Sequence, residues 1–153
     1  MDHYIVVPHE GVGAIRLGMN RHESRVAMAL PFHTFLKSPT SRALTDSYLD
    51  NCFQVSFDET DKVEFIELSS PIWAVYKDVS VFQTEVNEIV EVMERDAVLD
   101  TSSPEADYSF IFPALALSLW RSTIPEDDQE ENDREGRYFL TIGIGKHGYY
   151  NQP

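Results

Sequence analysis

Basic residues are scarce in this chain. Twelve Lys and Arg stand against 26 Asp and Glu, a formal net charge of −14 over 153 residues. The deficit argues against a nucleic-acid partner, because phosphate binding needs cationic side chains. It argues equally against anionic membrane surfaces. Cysteine occurs once, at Cys52, which excludes an intrachain disulfide. No apolar run approaches the ~20 residues that span a bilayer, and no lipidation box is present. The opening MDHYIVVPHEG has neither a basic n-region nor a long apolar stretch, so no signal peptide is expected and cytoplasmic residence follows by elimination.

Signatures of chemistry are missing too. His3, His9, His22, His33 and His147 form no HExxH or HxH pattern, so surface histidines are expected rather than a zinc site. The acidic stretches at Asp58–Asp61 and Asp127–Asp133 lack the D-x-[DN]-x-[DN]-G calcium pattern. There is no G-x-S-x-G elbow around Ser118, and Cys52 reads as a small core or edge residue. Gly11-Val-Gly13 does not complete G-x-G-x-x-G, since Arg occupies position 16. For it and for Gly143-Ile-Gly145, turn or bulge geometry is the expectation. With 26 acids in the chain, carboxylate pairs are guaranteed and carry no weight as a glycosidase signal. No catalytic residue, metal site or cofactor is expected.

What is present is a core and an uneven charge. Hydrophobic residues make up 42% and aromatics 12%, enough for one domain of this length to bury about two thirds of its unfolded surface. Residues 1–77 carry a net −3, whereas residues 78–153 carry −11. The acidic field therefore belongs to the second half.

Periodicity outlines the elements. Tyr4–Val7 is β-prone. Asn20 with Glu23 three residues on has capping-box spacing and predicts a helix from about Arg21 to Leu30, ended by Pro31. Residues 31–50 read as a long connection. Phe53, Val55 and Phe57 alternate with Gln54 and Ser56, and Val63 to Leu68 returns across a polar turn, which predicts a hairpin. Ile72–Tyr76 reads as a third strand.

Val86, Ile89, Val90 and Met93 sit at i, i+3, i+4 and i+7 and predict an amphipathic helix with Thr84 as N-cap. Glu85, Glu88, Glu91 and Glu94 occupy its other side. Tyr108–Phe112, Leu115–Trp120 and Arg137–Ile144 read as strands. Between the last two lies PEDDQEENDRE, residues 125–135, with seven acids and one base. It reads as a charged hairpin excursion, with Arg121 and Arg137 at its base pairing with carboxylates. The simplest assembly is a single α+β domain over residues 1–153. In it, one antiparallel β-sheet carries two main helices on one face, with a weak pseudo-repeat of helix-plus-hairpin units.

Two stretches resemble known bacterial proteins. Gly11-Val-Gly-Ala-Ile-Arg-Leu-Gly-Met-Asn-Arg-His-Glu23 resembles the G-x-G-x-I-x-x-G-M-[ST]-x-x-E opening of several small domains. Its G-M-[ST]-x-x-[EQ]-[VA] part is shared with BamE/SmpA-like modules. The resemblance implies a helix that starts after Met19 and packs on an antiparallel sheet. Asn20 stands where that family has Ser or Thr, and Ser24 where it has an apolar residue. Leu117–Arg121 with Gly136–Tyr150 is similar to the ends of bacterial proteins of this length, some in the manner of immunity proteins.

These features point to a non-catalytic acidic binding protein, of the immunity or inhibitor kind, that captures a basic toxin or effector. The expected contact surface is Glu85, Glu88, Glu91, Glu94, Asp127, Asp128, Glu130 and Glu131. The competing expectation is a small-molecule pocket lined by Trp73, Tyr108 and Trp120. Mutual repulsion at −14 favours a monomer or weak homodimer.

Overall fold

The structure is a computed structural model that describes residues 3–41 and 43–150. The chain begins with three short strands, β1 (His3–Val7), β2 (Gly11–Val12) and β3 (Ile15–Arg16), and then helix α1 (Arg21–Met28). Four strands follow, β4 (His33–Phe35), β5 (Thr45–Tyr48), β6 (Phe53–Phe57) and β7 (Val63–Ser69). After β8 (Trp73–Tyr76) and β9 (Val79–Ser80) comes helix α2 (Val86–Glu94). Strand β10 (Ser109–Phe112), a 3-10 turn (Pro113–Leu115), β11 (Leu117–Trp120) and β12 (Thr141–Gly145) complete the fold.

The expected α+β class with two helices and mostly antiparallel sheet is what the chain forms. The strands divide over two sheets, however, where one was expected. The larger runs β10-β11-β12-β7-β6-β5-β4, with every neighbouring pair antiparallel. The smaller runs β3-β2-β1-β8-β9. The division has a local cause. Strand β12 takes the free edge of β7, with Thr141 opposite Ser69, so β8 cannot continue the hairpin. It pairs in parallel with β1 instead, Ile5 opposite Val75. Each helix is followed by a run of antiparallel strands, and the two runs meet edge to edge at β7 and β12.

Helix α1 starts as its spacing predicts. The Asn20 side chain accepts from the Glu23 amide at 2.8 Å, and the Asn20 amide donates to Glu23 Oε1 at 3.0 Å. Two otherwise orphaned amides are thereby satisfied. The helix stops at Met28 because Ala29 turns left-handed, φ 52°, short of the expected end at Leu30. In α2 the N-cap is Glu85, not Thr84, and no side chain caps it. Its Val86 amide instead donates to the Arg137 carbonyl at 2.8 Å.

The inner face of the large sheet carries Phe53, Val55, Ile66, Leu68, Leu117, Leu119, Ile142 and Ile144, all buried. They join one continuous cluster with Val6, Val12, Ile15 and Ala74 of the small sheet and with Ile89 and Met93 of α2. Strand alternation produces this face, since every second side chain points the same way.

The outer face is covered differently. Gly143 and Gly145 lie within β12, not in the turn or bulge expected of them. A Cβ at Gly143 would run into the Phe65 ring and Ser118 Oγ, and one at Gly145 into the Tyr149 ring. The bare backbone lets aromatic rings lie flat on the sheet. Phe65 and Tyr149 stack with centroids 4.9 Å apart, and the Tyr150 hydroxyl lies 2.6 Å from Ser118 Oγ. Burial pushes the Tyr150 phenol up to about 12.

Gly143→Val is expected to cost about 1–3 kcal/mol, as overpacking does, and Asn20→Ala about 1 kcal/mol through the lost cap. Urea unfolding of each variant measures both losses.

Candidate functional site

The acidic surface is built on α2 and on the loop between β11 and β12. Val86, Ile89 and Met93 are buried, so the 3.6-residue period turns Glu85, Glu88, Glu91 and Glu94 outward, and all four are exposed. Asp127, Asp128, Glu130 and Glu131 of the insert are exposed as well.

The insert forms turns without helix or strand, yet its backbone is held at several points. Gln129 is the centre. Its Nε2 donates to the carbonyls of Asp133 at 3.1 Å and Glu135 at 2.9 Å, and its Oε1 accepts from the Glu126 amide at 3.2 Å. Arg137 Nη2 donates to the carbonyls of Gln129 and Glu130, each at 3.2 Å. Arg121 donates to the carbonyls of Asp107 at 2.9 Å and Gly136 at 3.1 Å. Both arginines stand at the base of the insert, as expected, but they grip backbone carbonyls and not carboxylates. Burial lowers the pKa of Arg121, opposed by nearby Asp107.

Helix and insert meet. Glu85, Asn87, Arg121, Glu126, Asp127 and Arg137 line one cleft of about 270 Å³. The two acidic elements, about 40 residues apart in sequence, thus share a border at Glu85 and Asp127. Arg121 and Arg137 line the same cleft.

The aromatic trio is divided between the two sheets. Trp73 lies in β8 of the small sheet, stacked on His3 with centroids 5.3 Å apart. Trp120 ends β11, and Tyr108 precedes β10 in the large sheet. Both of these are about 40% exposed. None of the three lines the clefts around Lys146, Phe139, Arg137 or Phe32.

A cleft of about 770 Å³ lies where Lys37, Thr45, Ser56, Asp58, Lys146 and Tyr149 converge. Lys146 pairs with Glu64 at 3.6 Å across its wall. The Asp58 carboxylate serves the β6–β7 turn. It accepts from the Thr60 hydroxyl at 2.7 Å and from the amides of Thr60 and Lys62 at 2.8 and 3.1 Å. These bonds, the Thr60 hydroxyl first, hold its pKa below the usual carboxylate range against a desolvation cost. Among the described residues, no group of three or more His, Cys, Asp or Glu converges as a metal site.

A charged cluster that the sequence concealed lies where α1 meets β5. Asp46 is fully buried. Arg25 donates to it through Nε at 2.8 Å and Nη2 at 2.9 Å, and Arg21 through Nη1 at 3.0 Å. Arg21 also reaches Asp61 at 2.9 Å and the Leu44 carbonyl at 3.0 Å. The two guanidinium groups lie over rings, Arg21 above Phe57 at 4.0 Å and Arg25 above Phe32 at 4.3 Å. The Asp46 hydrogen bond is the first cause of the raised Arg25 pKa. The i, i+4 spacing of Arg21 and Arg25 was visible in the sequence. Their partner sat in a stretch read as a connection.

Comparison with protein-family models, with curated proteins and with solved structures finds no match.

Asp46→Ala leaves two cations facing a buried gap and is expected to cost about 3–5 kcal/mol, read from chemical denaturation. Asp58 has a depressed folded-state pKa. Its contribution is therefore present above the unfolded value near pH 4 and fades as pH falls through the folded one. The stability gap between wild type and Asp58→Ala should be full at about pH 7 and narrow by about pH 2. A gap independent of pH would contradict the assignment.

Proposed function

We propose that this chain is a non-catalytic acidic binding protein, of the immunity or inhibitor kind, that captures a basic toxin or effector in the cytoplasm. One observation carries the reading. Glu85 at the start of α2 and Glu126 and Asp127 of the insert line a single cleft, and the other glutamates of α2 and acids of the insert are exposed. The insert itself is held by Gln129, Arg121 and Arg137. A mobile acidic loop would lose conformational entropy on binding. A loop already fixed by its own hydrogen bonds presents its field preorganised. An acidic surface of this kind steers a cationic partner and raises its association rate.

The other features are compatible with this role. No helix among the described residues is long and apolar enough to cross a membrane. The capping box at Asn20 supports the proposed likeness to BamE/SmpA-like modules, in which a helix begins at this motif. A second reading places a small polar molecule in the cleft beside Lys37 and Lys146, whose size suits a ligand.

The discriminating experiment replaces Asp127, Asp128, Glu130 and Glu131 by their amides and measures association with the product of a neighbouring toxin-like reading frame. Under the first reading association slows by about tenfold or more at low salt, and its salt dependence flattens. Unchanged association in that variant overturns it. The second reading requires a saturable rise in melting temperature with a metabolite, abolished by Lys146→Ala.

A further inference from the structure

Two histidines 138 positions apart in sequence come together at the junction of the two sheets. His9 lies in the turn between β1 and β2, and His147 in the turn that follows β12. Their ring centroids are 5.0 Å apart with the planes inclined at 55°. Both residues are exposed. His9 Nε2 lies 2.9 Å from the carbonyl oxygen of Ala114, in the 3-10 turn before β11.

That contact fixes the chemistry of His9. A carbonyl only accepts, so Nε2 carries a hydrogen, and in the neutral ring Nδ1 keeps its lone pair. Metal-binding imidazoles are held in this way, one nitrogen donating to a carbonyl while the other faces the ion. The ring separation also fits. With metal–nitrogen bonds of ~2.0–2.1 Å and tetrahedral angles, two imidazoles on one ion have centroids about 5 Å apart.

We infer that His9 and His147 form a two-imidazole site for a borderline divalent transition ion such as Zn²⁺, Ni²⁺ or Cu²⁺, the ions that imidazole suits. No third His, Cys, Asp or Glu converges there among the described residues. Water or a group from a bound partner completes the coordination. The net charge of −14 raises the local concentration of cations. The bound ion ties the β1–β2 turn of the small sheet to the turn after β12 of the large one. It binds the native state and not the unfolded chain, so it stabilises the fold by linkage.

The test is calorimetric titration with ZnCl2 and NiCl2, alongside thermal unfolding. One ion per chain and a saturable rise in melting temperature are expected, with MgCl2 giving neither. His9 is held at φ 67°, where Ala is strained and Asn is tolerated. The informative variants are therefore His9→Asn and His147→Gln, each weakening binding by about tenfold or more. His33→Ala should leave it unchanged. Undiminished affinity in the double variant overturns the inference, as does the lack of saturable binding up to roughly 1 mM.

Discussion

Asp46 is a carboxylate with no access to water, held by two arginines from one helix face. A buried charge in this position is tolerable only when it is paired and hydrogen-bonded, and three cationic donors meet its two oxygens. The geometry then dictates much else. Helix α1 must start where Arg21 and Arg25, one turn apart, both face β5. Asn20 and Glu23 set that start. The segment ahead of the helix is drawn to the large sheet as well, where Gly18 donates to the Val63 carbonyl and Val63 to the Met19 carbonyl. The small sheet, which ends in β3 just before this segment, is thus anchored to the large one by polar contacts as well as by the shared core.

Elements with a clear period were legible in the sequence, and those built from polar residues were not. The β6–β7 hairpin and the apolar stripe of α2 follow from alternation and from i, i+3, i+4 spacing, and both form. Strand β5 reads Thr-Asp-Ser-Tyr and is buried along its whole length. Nothing in its composition distinguishes it from a turn, because its burial is made possible by arginines more than 20 residues earlier. Strand β4 is hidden for a related reason, since it forms only by pairing with β5. The parallel pairing of β1 with β8 is a tertiary decision that local pattern does not encode.

The surface divides along the same line. Exposure of the α2 glutamates follows from the helical period, so that half of the acidic face was readable. Its meeting with the insert was not, because it depends on Val86 donating to the Arg137 carbonyl across the β11–β12 connection. The pairing of His9 with His147 belongs to the same class of fact. It arises where the turns of two sheets converge.

The way the insert is fastened has a consequence for its behaviour in solution. Its shape rests on hydrogen bonds from Gln129, Arg121 and Arg137 to backbone carbonyls, whereas its field rests on exposed carboxylates. Added electrolyte dims the field over a Debye length of about 8–10 Å, but it has little purchase on contacts between neighbouring atoms. Form and charge are therefore separable in this loop. The same rigid template can be presented with its electrostatic reach turned up or down by the surrounding medium alone.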